Sequence, residues 1–526
     1  MVPESNPPDL LRPSSPPHTP LTEVLAWTGA TLRPPGAGAL EVSGLSLSSG
    51  RVRAGDVYAA LPGSRAHGAT YAAEAVAAGA VAVLTDPDGA ALVAGDERLG
   101  EVPLLVHDDP RAVLGRLASH LYAEPARALT LLAVTGTQGK TTTTRLLEGG
   151  LTTAGVPAAV VGTVGTRIGG VEVKTALTTP EAPDLHALFA VMVEQGTTAC
   201  AMEVSSHALV KGRVDGVVFD VAAFLNLGRD HLDFHADVED YFAAKASLFT
   251  PERTRRGLTN VDDAWGRRLL GVAAHAGVPM VTFSPSGAEA DWRAVEVDPG
   301  ATGSRFVVLT PQGDRIAASV PLPGAYNVDN ALCAIALAGE SGLDAVAVAD
   351  GIARGEGVPG RLERVEAGQD FLAVVDYAHK PDAVEAALNA LRPLTAGRLV
   401  LVLGAGGDRD TGKRPVMGEI GARLADVLVV TDDNPRSEDP AAIRAAVLLG
   451  AHAVPDAERA EVVEVGDRRE AVRRAVALAG PGDTVVLAGK GHETGQEVAG
   501  TVHPFDDREE LRAALGSPGP AVRKRP

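Results

Sequence analysis

The stretch Leu129-Thr-Leu-Leu-Ala-Val-Thr-Gly-Thr-Gln-Gly-Lys-Thr-Thr142 decides how the rest of the chain is read. An apolar, β-favouring run ends in a glycine loop, and Lys140 and Thr141 then open a helix-like run. Such a loop holds a polyphosphate through its N–H groups and the N-terminus of the helix that follows. Gly136 and Gly139 let the backbone come close, Lys140 reaches the outer phosphates, and the Thr141 hydroxyl suits Mg²⁺. The strict phosphate-loop pattern would need glycine where Val134 stands. The competing reading is a tight strand-to-helix turn carrying an exposed lysine.

Working outward, 526 residues are too many for one core, so two to four domains are expected. Hydrophobic residues at 45% and charged residues at 22% are ordinary for a globular protein. No stretch reaches the ~20 apolar residues of a membrane span. The first twenty residues, rich in Pro and Ser, read as a disordered lead rather than a signal peptide. The two cysteines, Cys200 and Cys333, lie in apolar runs and read as small core residues in a reducing, cytoplasmic setting. A net charge of −19 argues against nucleic acid or an anionic membrane as partner. A phosphate-binding enzyme of this charge must gather its cations locally; Lys140, Arg213, Arg361, Arg409, Lys413, Arg414, Arg436 and Lys490 are candidates.

Ala/Gly-rich helices alternate with Val/Leu-rich strands almost throughout, the pattern of α/β domains with largely parallel sheets. Three blocks are expected, with a lead at 1–20 and a frayed tail at 516–526. The first block, 21–125, carries Gly55–Gly63 and a strand at Val81–Leu84. The second, 126–359, holds the phosphate loop, strands at Thr198–Met202 and Val217–Leu225, and a small β-insert from Phe306 to Leu322. The third, 360–515, has strands at Phe371–Val375, Leu399–Leu403, Val427–Val430 and Thr484–Leu487. Each of these ends in a polar loop, where open α/β sheets place ligands.

Several of these loops carry chemistry. Glu203 follows a strand beside the phosphate loop, where a Mg²⁺ ligand belongs, although a strand-end Glu is commonly just solvated. Asn226–His235 holds two histidines and two carboxylates, and zinc is the alternative there, without CxxC or HExxH spacing to support it. Lys245, within the helix-like Tyr241–Phe249, reads from chemistry alone as a solvated lysine. Asn327 and Asn330, three apart, share a face if a helix starts there; they could meet an adenine edge or cap the helix. The third block adds Asp376–Asp382, Gly404–Pro415, Asp432–Pro440 and Gly489–Glu493, four charged loops that fit the walls of a cleft better than plain turns.

In order, these motifs resemble the Mur ligase family, and within it the members that add the third residue to the stem peptide of peptidoglycan. The resemblance runs from about residue 40 to 510. It implies a UDP-binding first domain, a P-loop ATPase centre and a Rossmann-like C-terminal domain. It implies an ATP-dependent amide ligase acting on UDP-MurNAc-L-Ala-D-Glu through an acyl phosphate, in the cytoplasm, as a monomer without nucleic-acid or membrane partners. ATP would lie on Gly136, Thr137, Gln138, Gly139, Lys140, Thr141 and Thr142, with Asn327, Asn330, Arg361 and Asp376 completing the nucleotide site. Mg²⁺ would be held by Thr141, Glu203, His231 and Lys245, the last at the position that the family carries as a carbamylated lysine. Lys140, Glu203, His231 and Lys245 form the implied catalytic set. Ser49, Thr178, Thr179, Ser206 and Arg213 would hold the muramoyl dipeptide. Here the chain departs from the family pattern: Ser48-Ser49-Gly50 stands for Asp-Ser-Arg, His67-Gly68 for Asp-Gly, and Gln138 for an Asn.

Arg409, Asp433, Asn434, Arg436, Gly489 and Glu493 would hold the incoming amino acid. Asp433-Asn434-Pro435-Arg436 matches the form of the motif found with meso-2,6-diaminopimelate, whose second carboxylate Arg436 can grip bidentately. The alternatives are that Arg436 makes a structural salt bridge, for example with Glu438, or the same reaction with L-ornithine or L-lysine. From another class, a catalytically silent nucleotide-binding regulatory protein is the competing reading.

Overall fold

The computed structural model describes residues 11–34, 39–300 and 302–516. The chain forms two compact units, one of Met1–Arg293 with Cys333–Gly351 and one of Ala294–Leu332 with Ile352–Pro526.

Besides the short antiparallel pair Thr19–Pro20 with Glu41–Val42, the first unit contains two larger sheets among its described residues. The smaller has the order Thr31–Arg33, Leu104–Val106, Ala82–Thr85, Asp56–Ala60, Gly44–Ser46, parallel except at the first pair. In the larger, Ala158–Gly162, Ala199–Glu203, Thr130–Thr135, Phe219–Phe224, Thr254–Asn260 and Met280–Ser284 run parallel and side by side. A hairpin, Gly165–Ile168 with Val171–Val173, adds antiparallel to one edge. Leu131–Val134, Ala158–Val161, Ala199–Met202 and Val221–Phe224 read as unbroken apolar runs, as strands buried on both faces of a parallel sheet do, whereas Thr254–Asn260 carries two exposed arginines. Leu131, Ala133, Cys200, Met202, Phe219 and Phe224 accordingly share one buried cluster with Phe189 and Phe249.

In the second unit, Gly303–Leu309 and Arg315–Val320 form the expected β-insert as an antiparallel hairpin. A six-stranded sheet follows, ordered Glu363–Arg364, Leu372–Asp376, Thr484–Ala488, Leu399–Leu403, Val427–Val430, Glu461–Glu464. All but its first pair are parallel. Leu399–Leu403 and Val427–Val430 fall at the residues expected from sequence. Glu461–Glu464, two valines between two glutamates, has a weak apolar signal and lies outside the strands expected from sequence.

The Pro-rich lead departs from expectation from Leu11 onward. Arg12 is buried, donating to Asp56 Oδ1 at 3.1 Å, Tyr122 Oη at 2.9 Å and the Leu45 carbonyl at 2.8 Å. The Ser14 amide donates to Glu194 Oε2 at 2.9 Å. Residues 1–10 of that lead, and the expected tail beyond Gly516, lie outside the described residues. Among the described residues no helix is long and apolar enough to cross a membrane.

Candidate active site

The phosphate loop leaves the fully buried end of Thr130–Thr135 and enters the helix Lys140–Thr153. Gly136 has φ +154° and Gly139 φ +87°, which favour glycine at both positions. A Cβ on Gly136 would come within 3.0 Å of the Leu225 side chain. Asn226 braces the loop: its Oδ1 accepts from the Thr137 and Gln138 amides at 3.2 and 3.0 Å. Lys140 Nζ donates to the Gly136 and Thr137 carbonyls at 2.8 and 3.1 Å, so the lysine folds over its own loop. Thr141 and Thr142 are buried on the first turn.

Parallel pairing aligns Glu203 with Val134, so a carboxylate stands beside the strand that feeds the loop. Glu203 is buried, accepting from the Thr163 amide at 2.8 Å and the Thr163 hydroxyl at 3.0 Å. Thr163 Oγ1 in turn lies 3.0 Å from Thr178 Oγ1. Thr179 is fully buried and donates to the Glu203 carbonyl at 2.9 Å. Arg213 donates to Glu181 at 2.8 Å, and Arg111 reaches the other oxygen of Glu181 at 3.3 Å. Thr179 and Arg213 thus brace the loop that carries Thr178.

Lys245 is 1% exposed, not solvated. It lies on Val238–Ala246, and its Nζ donates to the Gly136 carbonyl at 2.8 Å, 4.6 Å above the Tyr241 ring. Close by, His235 Nε2 is 3.0 Å from Ser206 Oγ and His235 Nδ1 is 3.0 Å from Asp240. His207 stacks on Phe234 at 4.0 Å and meets His231 edge-on at 4.7 Å; burial lowers the pKa of His207. His231 adopts φ +54°, with its Nε2 3.3 Å from Asp230. No grouping of three or more His, Cys, Asp or Glu side chains able to hold a metal occurs among the described residues.

Ser49 stands in the first sheet's loops, its hydroxyl donating to Glu74 at 3.0 Å. In the second unit, Asn327 Nδ2 donates to the Pro323 carbonyl at 2.7 Å and Asn330 Nδ2 to Asn327 Oδ1 at 3.1 Å. The pair does share one helix face, and Asn327 also ties the helix to the loop before it. Asp376 accepts from the Leu362 and Ala378 amides at 2.7 and 2.9 Å. Burial raises its pKa, and the nearby Arg361 opposes that rise. Arg361 lies 4.7 Å above the Tyr377 ring.

The loops after Leu399–Leu403, Val427–Val430 and Thr484–Ala488 meet at the carboxyl edge of the second unit's sheet. Arg414 takes both oxygens of Glu438, at 2.9 and 2.8 Å. Glu438 is therefore not the partner of Arg436, but a structural salt bridge of Arg436 does occur, with Glu497. Arg436 instead donates to the Gly407 carbonyl at 2.6 Å and stands 3.4 Å from Glu497. It sits at φ +53°, held by Arg436 N to Glu497 O at 2.9 Å and Ala499 N to Arg436 O at 2.7 Å. Arg409 is exposed on the neighbouring loop. Asn434 Nδ2 donates to Glu493 Oε2 at 2.8 Å. Gly489 has φ +118°, and a Cβ there would lie 2.9 Å from Asp433 Oδ2.

Three family models match the chain along its length. They are the Mur ligase family catalytic domain at residues 41–122, the Mur ligase middle domain at 134–338, and the Mur ligase glutamate ligase domain at 360–491. A UDP-N-acetylmuramoyl-L-alanyl-D-glutamate–2,6-diaminopimelate ligase of Streptomyces coelicolor is 56% identical over 94% of this chain and 96% of its own. The chain belongs to the Mur ligase family.

A second Mur ligase relative, a UDP-N-acetylmuramyl-tripeptide synthetase of Leifsonia xyli, is 46% identical over 97% of this chain and 99% of its own. A solved diaminopimelate ligase of the same family is 33% identical, with a TM-score of 0.67, covering 95% of this chain and 99% of its own. The fold is thus the three-domain α/β fold of the Mur ligases. Within it, sequence reasoning passed over Asn226, Thr163 and Tyr241, whose hydroxyl lies 3.1 Å from Thr137 Oγ1. Asn226 comes just past the end of Phe219–Phe224, as Glu203 ends its own strand; a polar residue at the end of an apolar run was the available signal.

Proposed function

We propose that this Mur ligase joins meso-2,6-diaminopimelate to UDP-MurNAc-L-Ala-D-Glu at the expense of ATP. The observation that carries the reading is the Asp433–Arg436 loop laced to Gly489–Glu493 at the sheet's carboxyl edge. The relatives bearing the name diaminopimelate ligase support it.

A carboxylate is a poor acylating agent. Transfer of the γ-phosphoryl group of ATP to the D-glutamyl γ-carboxylate gives an acyl phosphate and ADP. The amine of the amino acid then attacks that carbonyl, the C–N bond forms, phosphate leaves and the amine's proton is lost. Such transfer depends on positioning and charge neutralisation. The Gly136–Thr142 loop binds the polyphosphate, and Lys140 swings from its loop carbonyls to the outer phosphates. Asn327, Asn330, Arg361 and Asp376 are assigned to the nucleoside. Ser49, Thr178, Thr179, Ser206 and Arg213 are assigned to the dipeptide substrate, with Thr179 and Arg213 acting through the loop they brace.

The oxygen donors Thr141 and Glu203 suit Mg²⁺, a hard cation. With His231, and with Lys245 if its buried amine is carbamylated, they would hold the metal, which would neutralise developing phosphate charge. Arg436 reads the distal carboxylate, and Arg409, Asp433, Asn434, Gly489 and Glu493 orient that end of the amino acid.

The test is the mass of the product formed from UDP-MurNAc-L-Ala-D-Glu, ATP, Mg²⁺ and meso-diaminopimelate. A nucleotide heavier by one diaminopimelyl residue, formed one-for-one with ADP and phosphate, is expected. ATP binding without any such product would favour the silent regulatory reading.

A further inference from the structure

Lys490 is a buried cation that the reaction as written leaves without a task. Its side chain is 0% exposed. A lysine so placed is costly unless every donor meets an acceptor. Its Nζ donates to Asn434 Oδ1 at 3.1 Å and Glu493 Oε2 at 3.2 Å, and stands 3.7 Å from Asp433 Oδ1. That Asp433 oxygen is itself buried and accepts no hydrogen bond. Asp433 is 5% exposed.

The network has one consistent polarity. Asn434 Oδ1 faces two obligate donors, Lys490 Nζ and the Glu497 amide, the latter at 2.9 Å. Its amide nitrogen must therefore turn to Glu493 Oε2, as the 2.8 Å contact has it. Glu493 Oε2 takes both Asn434 and Lys490, leaving Oε1 outside the network. Without the ammonium, Asn434 loses one of the donors that fix its flip, and Asp433 and Glu493 lose the cation that faces both.

We propose that Lys490 is a positioning residue of the acceptor site: it locks the Asn434 amide and the Glu493 carboxylate into one orientation and supplies the counter-charge for Asp433. Lys490 acts on the amino acid through these three side chains. The inference rests on the reading of these loops as the amino-acid site.

The test compares the full-length wild type with Lys490→Met and Lys490→Gln. KM for meso-diaminopimelate, ATP and UDP-MurNAc-L-Ala-D-Glu is measured separately, with a thermal melt of each variant. Lys490→Met is expected to raise KM for the diamino acid by roughly tenfold or more, the scale of leaving buried charges unpaired. KM for ATP and the nucleotide substrate should stay within about twofold, and saturating diamino acid should recover much of kcat. Lys490→Gln keeps a donor and should lie between. If Lys490→Met fails to melt cooperatively, Lys490→Gln carries the same selective expectation. A variant that folds and shows unchanged KM for the diamino acid, or all three constants raised together, overturns the proposal. A wild type that turns over with no diamino acid instead overturns the reading of the site, whatever the variants do.

Discussion

Lys245 shows what one residue's environment can conceal. Its own helix is charged and ordinary, yet its amine ends on the carbonyl of Gly136, 109 positions away. The pairing of Phe219–Phe224 with Thr130–Thr135 brings the two segments together, so the short-range sequence pattern could not reveal it. Lys140, by contrast, was legible, because its loop is local and its glycines fix the turn. Replacing Lys140 by Ala should lower ADP release coupled to ligation by at least ~10²-fold, the scale of losing a preorganised phosphate contact. Near-normal turnover would contradict its role. Lys245→Ala should lose activity and regain part of it with an added short-chain carboxylic acid, if the amine works as a carbamate. Unchanged activity would return Lys245 to a purely structural role.

At the scale of elements, the apolar strands were legible, while the charged Glu461–Glu464 and the crossings were not. Leu399–Leu403 and Val427–Val430 announce themselves as apolar runs between polar loops. The helices Lys413–Leu424 and Pro440–Ala453 pack through two glycines whose purpose the sequence hides. A Cβ on Gly418 would fall 1.9 Å from the Val447 carbonyl, and one on Gly450 1.7 Å from the Pro415 carbonyl. Gly450→Ala should therefore destabilise by at least the ~1–3 kcal/mol of ordinary overpacking, read as a lower Tm. An unchanged Tm would show that the helices can part freely.

The helix Ala182–Glu194 carries a second consequence. His186 is fully buried, with its Nε2 3.1 Å from the Asp215 carbonyl, and burial brings its pKa down to about 4. The unfolded chain binds this proton near pH 6.5 and the folded chain only near 4, so stability falls as pH drops between those values. The loss approaches about 3 kcal/mol and ends once both states are protonated. Denaturant midpoints from pH 7 to 4 should show this component in the wild type and lack it in His186→Gln.

Across the whole molecule, α/β alternation and the order of motifs were enough to reach the family. They were not enough for the lead, whose composition predicts disorder while, from Leu11 onward, the buried Arg12 and the Ser14–Glu194 contact anchor it. Arg12 lies within 3.1 Å of Asp56 and 2.9 Å of Tyr122. Arg12→Ala would strand a buried carboxylate and should cost ~3–5 kcal/mol in a denaturant titration. A change under about 1 kcal/mol, the range of surface pairs, would mean that Asp56 finds other partners.

The central claim is that the loops at the carboxyl edge of the second unit's sheet select a diamino acid bearing a second carboxylate. ADP release with ATP, Mg²⁺ and UDP-MurNAc-L-Ala-D-Glu tests it most directly, with meso-diaminopimelate, L-lysine and L-ornithine offered separately. Turnover with diaminopimelate, at a kcat/KM above the other two by as much as ~10⁴-fold, is predicted for a site whose buried polar groups need that carboxylate. Equal or better turnover with lysine or ornithine would contradict it.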